Sequence, residues 1–238
     1  MCGRYQAPAE FSEIKLAFEL SASAGGAGLA WHNNIAASYG VGSSAPLIIT
    51  ENRERALTTG RFWYVPPFWN QPLKELPTSF NARSERIRDS KFFRGAISER
   101  RCLVPMIGWF ERNRERRRDY RFAPERSEHE VAPPFACAGV WSTAHDEQGG
   151  LFRSFAILTT AANDSALPIH PRMPLVVPPQ HYEPWLLDGD PQELITLLQK
   201  ANRSLPLSIE EQPPKKKENR TRSPRGQLDL FGKGQNDS

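Results

Sequence analysis

A chain of 238 residues, 39% apolar and 24% charged, can hold one sizeable globular domain and a tail, or two small domains; with no apolar run long enough to cross a bilayer and no charged-then-apolar leader, a cytoplasmic protein without membrane contact is expected. Three scattered cysteines argue against a disulfide framework, and the lack of a CxxC pair or an HExxH run argues against a metal site; no cofactor is expected either. The net charge of +4 is unevenly placed, since residues 213–238 carry seven Lys/Arg against three acids while residues 83–121 hold thirteen against six, a distribution that suits an anionic partner such as nucleic acid.

The chain opens Met1-Cys2-Gly3-Arg4-Tyr5. Initiator methionine is generally removed before a small residue, which would leave Cys2 as the N-terminal residue. Its α-amine and thiol titrate near neutral pH and stand on adjacent carbons, so both can add to one aldehyde carbon and close a thiazolidine. Residues 10–20 show the apolar spacing of a short amphipathic helix, and Ser21 to Gly28 reads as a small-residue loop. Pro46–Thr50 reads as a buried strand, with Leu57–Val65 as a partner interrupted at Gly60 and stopped by Pro66-Pro67. The segment from Phe62 to Trp69 is an aromatic, proline-stiffened loop whose rings could stack on bases.

Ser84–Ala96 reads as a helix capped by Ser84. Short strands are expected at Arg101–Pro105, Ile107–Arg112, Tyr120–Ala123, Phe135–Trp141, Phe152–Thr160 and Met173–Val177, and helices at Pro179–Leu187 and Pro191–Ala201. The arginine-rich run from Arg112 to Arg121 reads first as a solvated hairpin tip, and Cys102 and Cys137 as buried small hydrophobes. The fold class is α+β, a single domain over residues 2–207 of mainly antiparallel strands packed with short helices. Residues 208–238 read as a disordered basic tail.

Four further places carry candidate chemistry. Asn81-Ala82-Arg83-Ser84-Glu85 includes an arginine able to hold a phosphate. In Gly108-Trp109-Phe110-Glu111 a carboxylate follows an aromatic pair, and partial burial would raise its pKa toward neutrality. In Pro168-Ile169-His170-Pro171-Arg172-Met173-Pro174 an imidazole sits in a rigid loop. Trp63, Phe68 and Trp69 supply the aromatics.

Together, MCGRY, NARSE, GWFE and PIHPRMP resemble the SOS-response-associated peptidase (SRAP) family, in its order and approximate spacing over residues 2–207. The resemblance implies covalent capture of abasic sites in single-stranded DNA and at single-strand/duplex junctions, through a thiazolidine on Cys2 after Met1 is removed. It implies protection of such sites at replication forks. On that resemblance Asn81 would position the N-terminus and the sugar, Glu111 would shuttle protons, and His170 would protonate the ring oxygen. Arg4 and Arg83 would grip phosphates, and Trp63, Phe68 and Trp69 fall where the family wedges DNA. Asn34 matches a DNA-binding asparagine, although the surrounding segment departs from the family pattern. Tyr64 replaces a usual glycine, an exchange that would crowd the DNA groove, and no late family strand is evident after Leu207.

In the tail, Gln227-Leu228-Asp229-Leu230-Phe231 resembles the pentapeptide by which bacterial replication and repair proteins bind the β sliding clamp, which implies tethering at the fork; a nucleoid-associated monomer is expected. Three alternatives stay open. Met-Cys-Gly also begins N-terminal-nucleophile amidohydrolases. A peptidase could act on its own Met1, with lyase-type chemistry a further reading. A clamp adaptor without catalysis could simply bind undamaged strands.

Overall fold

A computed structural model describes residues 2–8, 10–20, 38–125, 134–146, 148–187 and 189–214. The small-residue loop, Asn34 and the pentapeptide 227–231 lie outside the described residues. Among those described, no helix is long and apolar enough to cross a membrane.

Thirteen strands are described, in two sheets. In the first, β1 (Arg4–Gln6) lies between β2 (Ser38–Gly40) and β7 (Gly108–Asn113), and β8 (Arg118–Pro124) and β13 (Leu207–Glu211) extend the sheet beyond β7. The second contains β3 (Ser44–Glu51), β4 (Glu54–Arg61), β6 (Arg101–Met106), β9 (Phe135–His145) and β10 (Leu151–Ala161). Their pairings run round a closed circuit, β10–β4–β3–β6–β9–β10. Onto this circuit are added β5 (Asn81–Arg83), β11 (Arg172–Pro174) and β12 (Val176–Val177). Every pairing is antiparallel except those of β10 with β4 and with β5, in agreement with the α+β expectation.

Alternation explains how the layers form, because successive strand residues point to opposite faces. On β3, Leu47 and Ile49 pack in a cluster with Tyr5, Trp109 and Phe122 of the first sheet. The intervening Ile48 joins Ile14, Ile97 and Leu198 of the helices. The circuit strands are thus covered on both faces, by a sheet on one and by helices on the other. The helices are α1 (Phe11–Ala17), α2 (Arg94–Glu99), α3 (Tyr182–Leu186) and α4 (Pro191–Arg203). Helix α4 starts where it does because Asp190 accepts hydrogen bonds from the N–H groups of Gln192 and Glu193 at 2.8 and 3.0 Å, with Pro191 in the first turn.

Four expectations need correction. Ser84–Ala96 is not one helix. It comprises a 3₁₀ turn (Ser84–Arg86), irregular turns and then α2. Ser84 Oγ accepts a hydrogen bond from Gln199 Nε2 at 2.9 Å rather than capping a helix. Gly60 does not interrupt β4; it lies inside the strand, where a Cβ would come within 2.7 Å of Leu47 Cδ1. The strand expected over Met173–Val177 is two strands, β11 on β10 and β12 on β9, with Leu175 bridging them.

Finally, a strand does follow Leu207. β13 pairs with β8 from Leu207↔Pro124 to Glu211↔Tyr120, so regular structure runs past the expected boundary. Leu207 and Ile209 pack against the core beneath the sheet, and the acids of the strand add ion pairs. Glu210 lies 3.7 Å from Arg121 and Glu211 3.6 Å from Arg118, and Tyr120 Oη donates to Glu211 at 3.1 Å.

Candidate active site

Strand β1 carries the N-terminus into the middle of the first sheet. Its register with β7 sets Tyr5 opposite Trp109 and Arg4 opposite Phe110, so the chain preceding Arg4 runs out beside Glu111. There the guanidinium of Arg4 stacks on Phe110, 4.1 Å from the ring centre. Cys2 is wholly buried, with Sγ 3.9 Å from the Arg4 carbonyl. Burial pushes its thiol well above the ordinary range, and the neighbouring Glu111 and Cys137 add to the rise.

Asn81 reaches Cys2 from the other sheet. It opens β5, whose pairing with β10 sets it opposite Ile157. Its Nδ2 donates to the Cys2 carbonyl at 3.0 Å, while its Oδ1 is buried with no hydrogen-bond partner among the described residues. Glu111 is 6% exposed, and burial raises its pKa from 4.5 to about 7. The Oε2 of Glu111 lies 3.9 Å from His170 Nε2.

The imidazole is held from behind. Nδ1 accepts the Arg172 N–H at 3.1 Å and lies 2.9 Å from the Arg172 carbonyl. Burial is the main reason its pKa is lowered, with Arg114 and Arg172 among the nearby charges acting the same way. The Arg172 side chain is fixed in turn, donating to both oxygens of Glu85 at 2.7 and 2.9 Å and to the Thr159 carbonyl at 2.6 Å.

Glu111 and His170 border a cleft of about 400 Å³ that is also lined by Gly3, Arg4, Phe110 and Arg114, among others. A neighbouring cleft of about 340 Å³ is lined by Asn81, Arg83 and Arg86, and Arg83 is exposed there. Four segments distant in sequence thus bring Cys2, Asn81, Glu111 and His170 to one place, with Arg4 and Arg83 at its borders. Among the described residues no group of three or more His, Cys, Asp or Glu side chains could hold a metal ion.

The aromatic loop is less uniform than its sequence. Phe68 is 59% exposed and stands edge-on to Phe92. Trp69 also packs against Phe92, and Trp63 is half-buried with Nε1 donating to the Pro77 carbonyl at 3.2 Å. Tyr64 does not crowd a groove; it is buried against Phe93 in the helical core. Cys102 and Cys137 are fully buried, as expected. Sequence reasoning missed Glu85, Arg114 and Arg172 as parts of this region. Glu85 and Arg172 both stand inside motifs already singled out, but a contact across 87 residues has no local signature.

Abasic site processing protein YoqW of Bacillus subtilis (strain 168) is 27% identical over 203 residues, which cover 84% of this chain and 87% of that protein. Abasic site processing protein YedK of Escherichia coli (strain K12) is 30% identical over 141 residues, 59% of this chain and 60% of that one. Among solved structures, a protein from Bacteroides thetaiotaomicron shares the fold with a TM-score of 0.70 at 20% identity, covering 88% of this chain and 91% of that one. A protein from Bordetella bronchiseptica does so with a TM-score of 0.68 at 22% identity, covering 90% and 100%. The family model described as SOS response associated peptidase (SRAP) matches residues 1–210, a span that takes in β1 with Cys2, β5 with Asn81, β7 with Glu111 and the loop of His170, and the chain belongs to that family.

Proposed function

We propose that this protein processes abasic sites in single-stranded DNA by covalent capture on Cys2, once removal of Met1 has freed its amine. The observation that carries the reading is the convergence of Asn81, Glu111 and His170 around Cys2. Relatives that bear the name abasic site processing protein support the same substrate.

The chemistry balances with no added reactant. The amine adds to the C1′ aldehyde of the ring-opened deoxyribose, and the carbinolamine loses water to give an imine. The thiolate then adds to the imine carbon, the nitrogen takes up the proton that the thiol released, and the five-membered ring closes. Both nucleophiles belong to one residue, so the second addition is intramolecular and gains from a high effective concentration. Glu111, near pKa 7, can take a proton from the amine and return one to the departing hydroxyl. His170 is biased by burial toward its neutral form. It must gain a proton before it can give one to the sugar ring oxygen, and Glu111, 3.9 Å away, is placed to relay it. The Asn81 amide holds the Cys2 carbonyl and so limits the directions the free amine can take. Cys2 has no exposed surface in the unprocessed chain, so processing or strand docking must open a path to the thiol.

The deciding experiment incubates the protein with a uracil-containing single strand treated with uracil-DNA glycosylase, then runs a denaturing gel. A shifted band that disappears in Cys2→Ala is the expected result. No band from protein shown by mass spectrometry to lack Met1 would sink the reading. The tail segment 227–231 is proposed to dock on a sliding clamp and so deliver the domain to replication forks. Leu230→Ala with Phe231→Ala should abolish clamp binding and leave crosslinking intact; unchanged clamp affinity refutes that part.

A further inference from the structure

We infer that Arg114, on the turn joining β7 to β8, is a phosphate-binding residue for the damaged strand, lining the same cleft as Arg4. The inference rests on the abasic-site reading above and adds a contact outside its motifs.

Residues 112–118 hold five arginines against one glutamate, a run that would ordinarily be a solvated tip. Here the tip is tied down. Asn113 is 6% exposed; its Nδ2 donates to the Pro168 carbonyl at 3.0 Å, on the loop that carries His170. Its Oδ1 accepts the Arg116 N–H at 2.8 Å and closes the turn. Arg117 sits at φ 54°, a left-handed conformation that a non-glycine residue adopts at some cost.

Charge pairing then separates the arginines. Arg112 is committed to Asp119 at 3.2 Å and to the Arg117 carbonyl. Arg118 lies 3.6 Å from Glu211. Arg114 has no ion pair among the described residues, yet it lines the cleft with Arg4, Glu111 and His170. It is also near enough to His170 to disfavour the imidazolium, after burial and alongside Arg172.

An exposed guanidinium on an anchored turn, facing a cleft that already holds one stacked arginine, is placed to take a phosphate in bidentate fashion. The Asn113 bonds fix the backbone of the turn, so the entropy lost on binding is confined to the Arg114 side chain. A phosphate there would also offset the charge that opposes protonation of His170.

The test uses a fluorescent single strand carrying a tetrahydrofuran abasic analogue, which has no aldehyde and so reports binding without capture. Affinity is measured over a range of salt for the wild type, Arg114→Gln, Arg114→Lys and Arg116→Gln, each checked for folding by thermal melt. Arg114→Gln should weaken binding by about three- to tenfold at 0.1 M salt and reduce the log–log salt slope by about 0.7, the value for one phosphate of a single strand. Arg114→Lys should keep the slope and lose part of the affinity, because it retains the charge and loses the fork. Arg116→Gln should change the slope by less than half as much. Unchanged affinity and slope in Arg114→Gln would overturn the inference. So would equal losses in the Arg114 and Arg116 variants, which would mean a diffuse basic field. A parallel gel with a true abasic strand separates the two readings: a wild type that binds but never crosslinks defeats the capture chemistry alone, and one that ignores both strands defeats both.

Discussion

Asn81 donates through Nδ2 to the carbonyl of Cys2 at 3.0 Å and leaves Oδ1 buried without a hydrogen-bond partner among the described residues. A buried acceptor without a partner costs about 1–3 kcal/mol, a cost that a positioned substrate hydroxyl or the freed amine of Cys2 could remove by donating to it. Asn81→Ala deletes both functions at once. It should slow crosslinking by about a hundredfold, the scale of an ångström of misplacement, with thermal stability little changed, because losing the unpaired Oδ1 offsets leaving the Cys2 carbonyl without its donor. Single-turnover gel kinetics beside a melting curve check this; a rate within twofold of wild type would remove Asn81 from the mechanism.

Glu111 links the chemistry to stability. Its pKa rises from 4.5 to about 7 because it is buried. In the unfolded chain it ionises first, so its contribution to stability is whole below about pH 4.5 and is lost as pH climbs toward about 7. Glu111→Gln removes that loss. Relative to wild type, the variant should gain stability progressively between pH 5 and 7.5, up to the order of 3 kcal/mol, while crosslinking at pH 7 falls by about a hundredfold or more. Urea titrations at pH 5, 6, 7 and 8 read the first effect. A flat difference across that range would mean that the carboxylate is charged throughout.

Much of this was legible in the residues and some of it was not, for reasons that can be named. The strands from Arg101 to Thr160 were read in place and order, because their apolar residues are bounded by turn chemistry, although the one expected at Phe135–Trp141 continues to His145. Ser84–Ala96 misled because its charges mimic an exposed helix face. In fact Ile87, Phe93, Ala96 and Ile97 anchor separate short pieces to the core. Strand β13 was hard to see because only Leu207 and Ile209 of its five residues reach the core, while Glu210 and Glu211 find their partners in Arg121 and Arg118 of a distant strand. At the site, Cys2, Asn81, Glu111 and His170 stood out through their motifs. The ion pair between Glu85 and Arg172 depends on β5 and β11 both pairing with β10, and the bond from Asn113 to the Pro168 carbonyl joins segments 55 residues apart.

Packing around the buried thiols gives a prediction independent of chemistry. Gly139 on β9 faces Cys102 on β6. A Cβ there would stand 2.7 Å from Cys102 Sγ and 3.1 Å from both the Ala156 carbonyl oxygen and Val104 Cγ2. Two of those neighbours are short side chains on paired strands and the third is backbone, so none can swing aside. Gly139→Ala should destabilise by about 1–3 kcal/mol. Adding Cys102→Gly should recover part of the loss by vacating the nearest contact, whereas independent sites would simply add. Additive losses in that double-mutant cycle would show that the Cys102 contact is not the cause.

The last prediction concerns how His170 is held. Its Nδ1 meets the backbone of Arg172, so the ring's placement depends on where that backbone sits. The Arg172 guanidinium is fixed by Glu85, by the Thr159 carbonyl and by Thr159 Oγ1 at 3.2 Å. Burial alone would raise the Glu85 pKa, but the Arg172 hydrogen bonds, bonds from backbone N–H groups and the Arg172 charge together outweigh it and hold the carboxyl below its ordinary value. The pair therefore supports the loop above the ordinary carboxylate range and gives way as pH falls below it. Glu85→Gln keeps the shape and removes the charge. It should slow crosslinking by about tenfold, short of the hundredfold that a full ångström of misplacement can cost, because the Thr159 bonds remain. A merely structural role would lower stability without moving the His170 titration. A positioning role should instead shift the imidazole NMR titration, because the ring relaxes away from Glu111 on β7 and from Arg114 on the turn, and because Arg172 moves with it. Glu85→Asp, which retains the charge at shorter reach, should restore part of both the rate and the titration. An unshifted His170 in Glu85→Gln, with wild-type crosslinking, would reduce the pair to a surface contact.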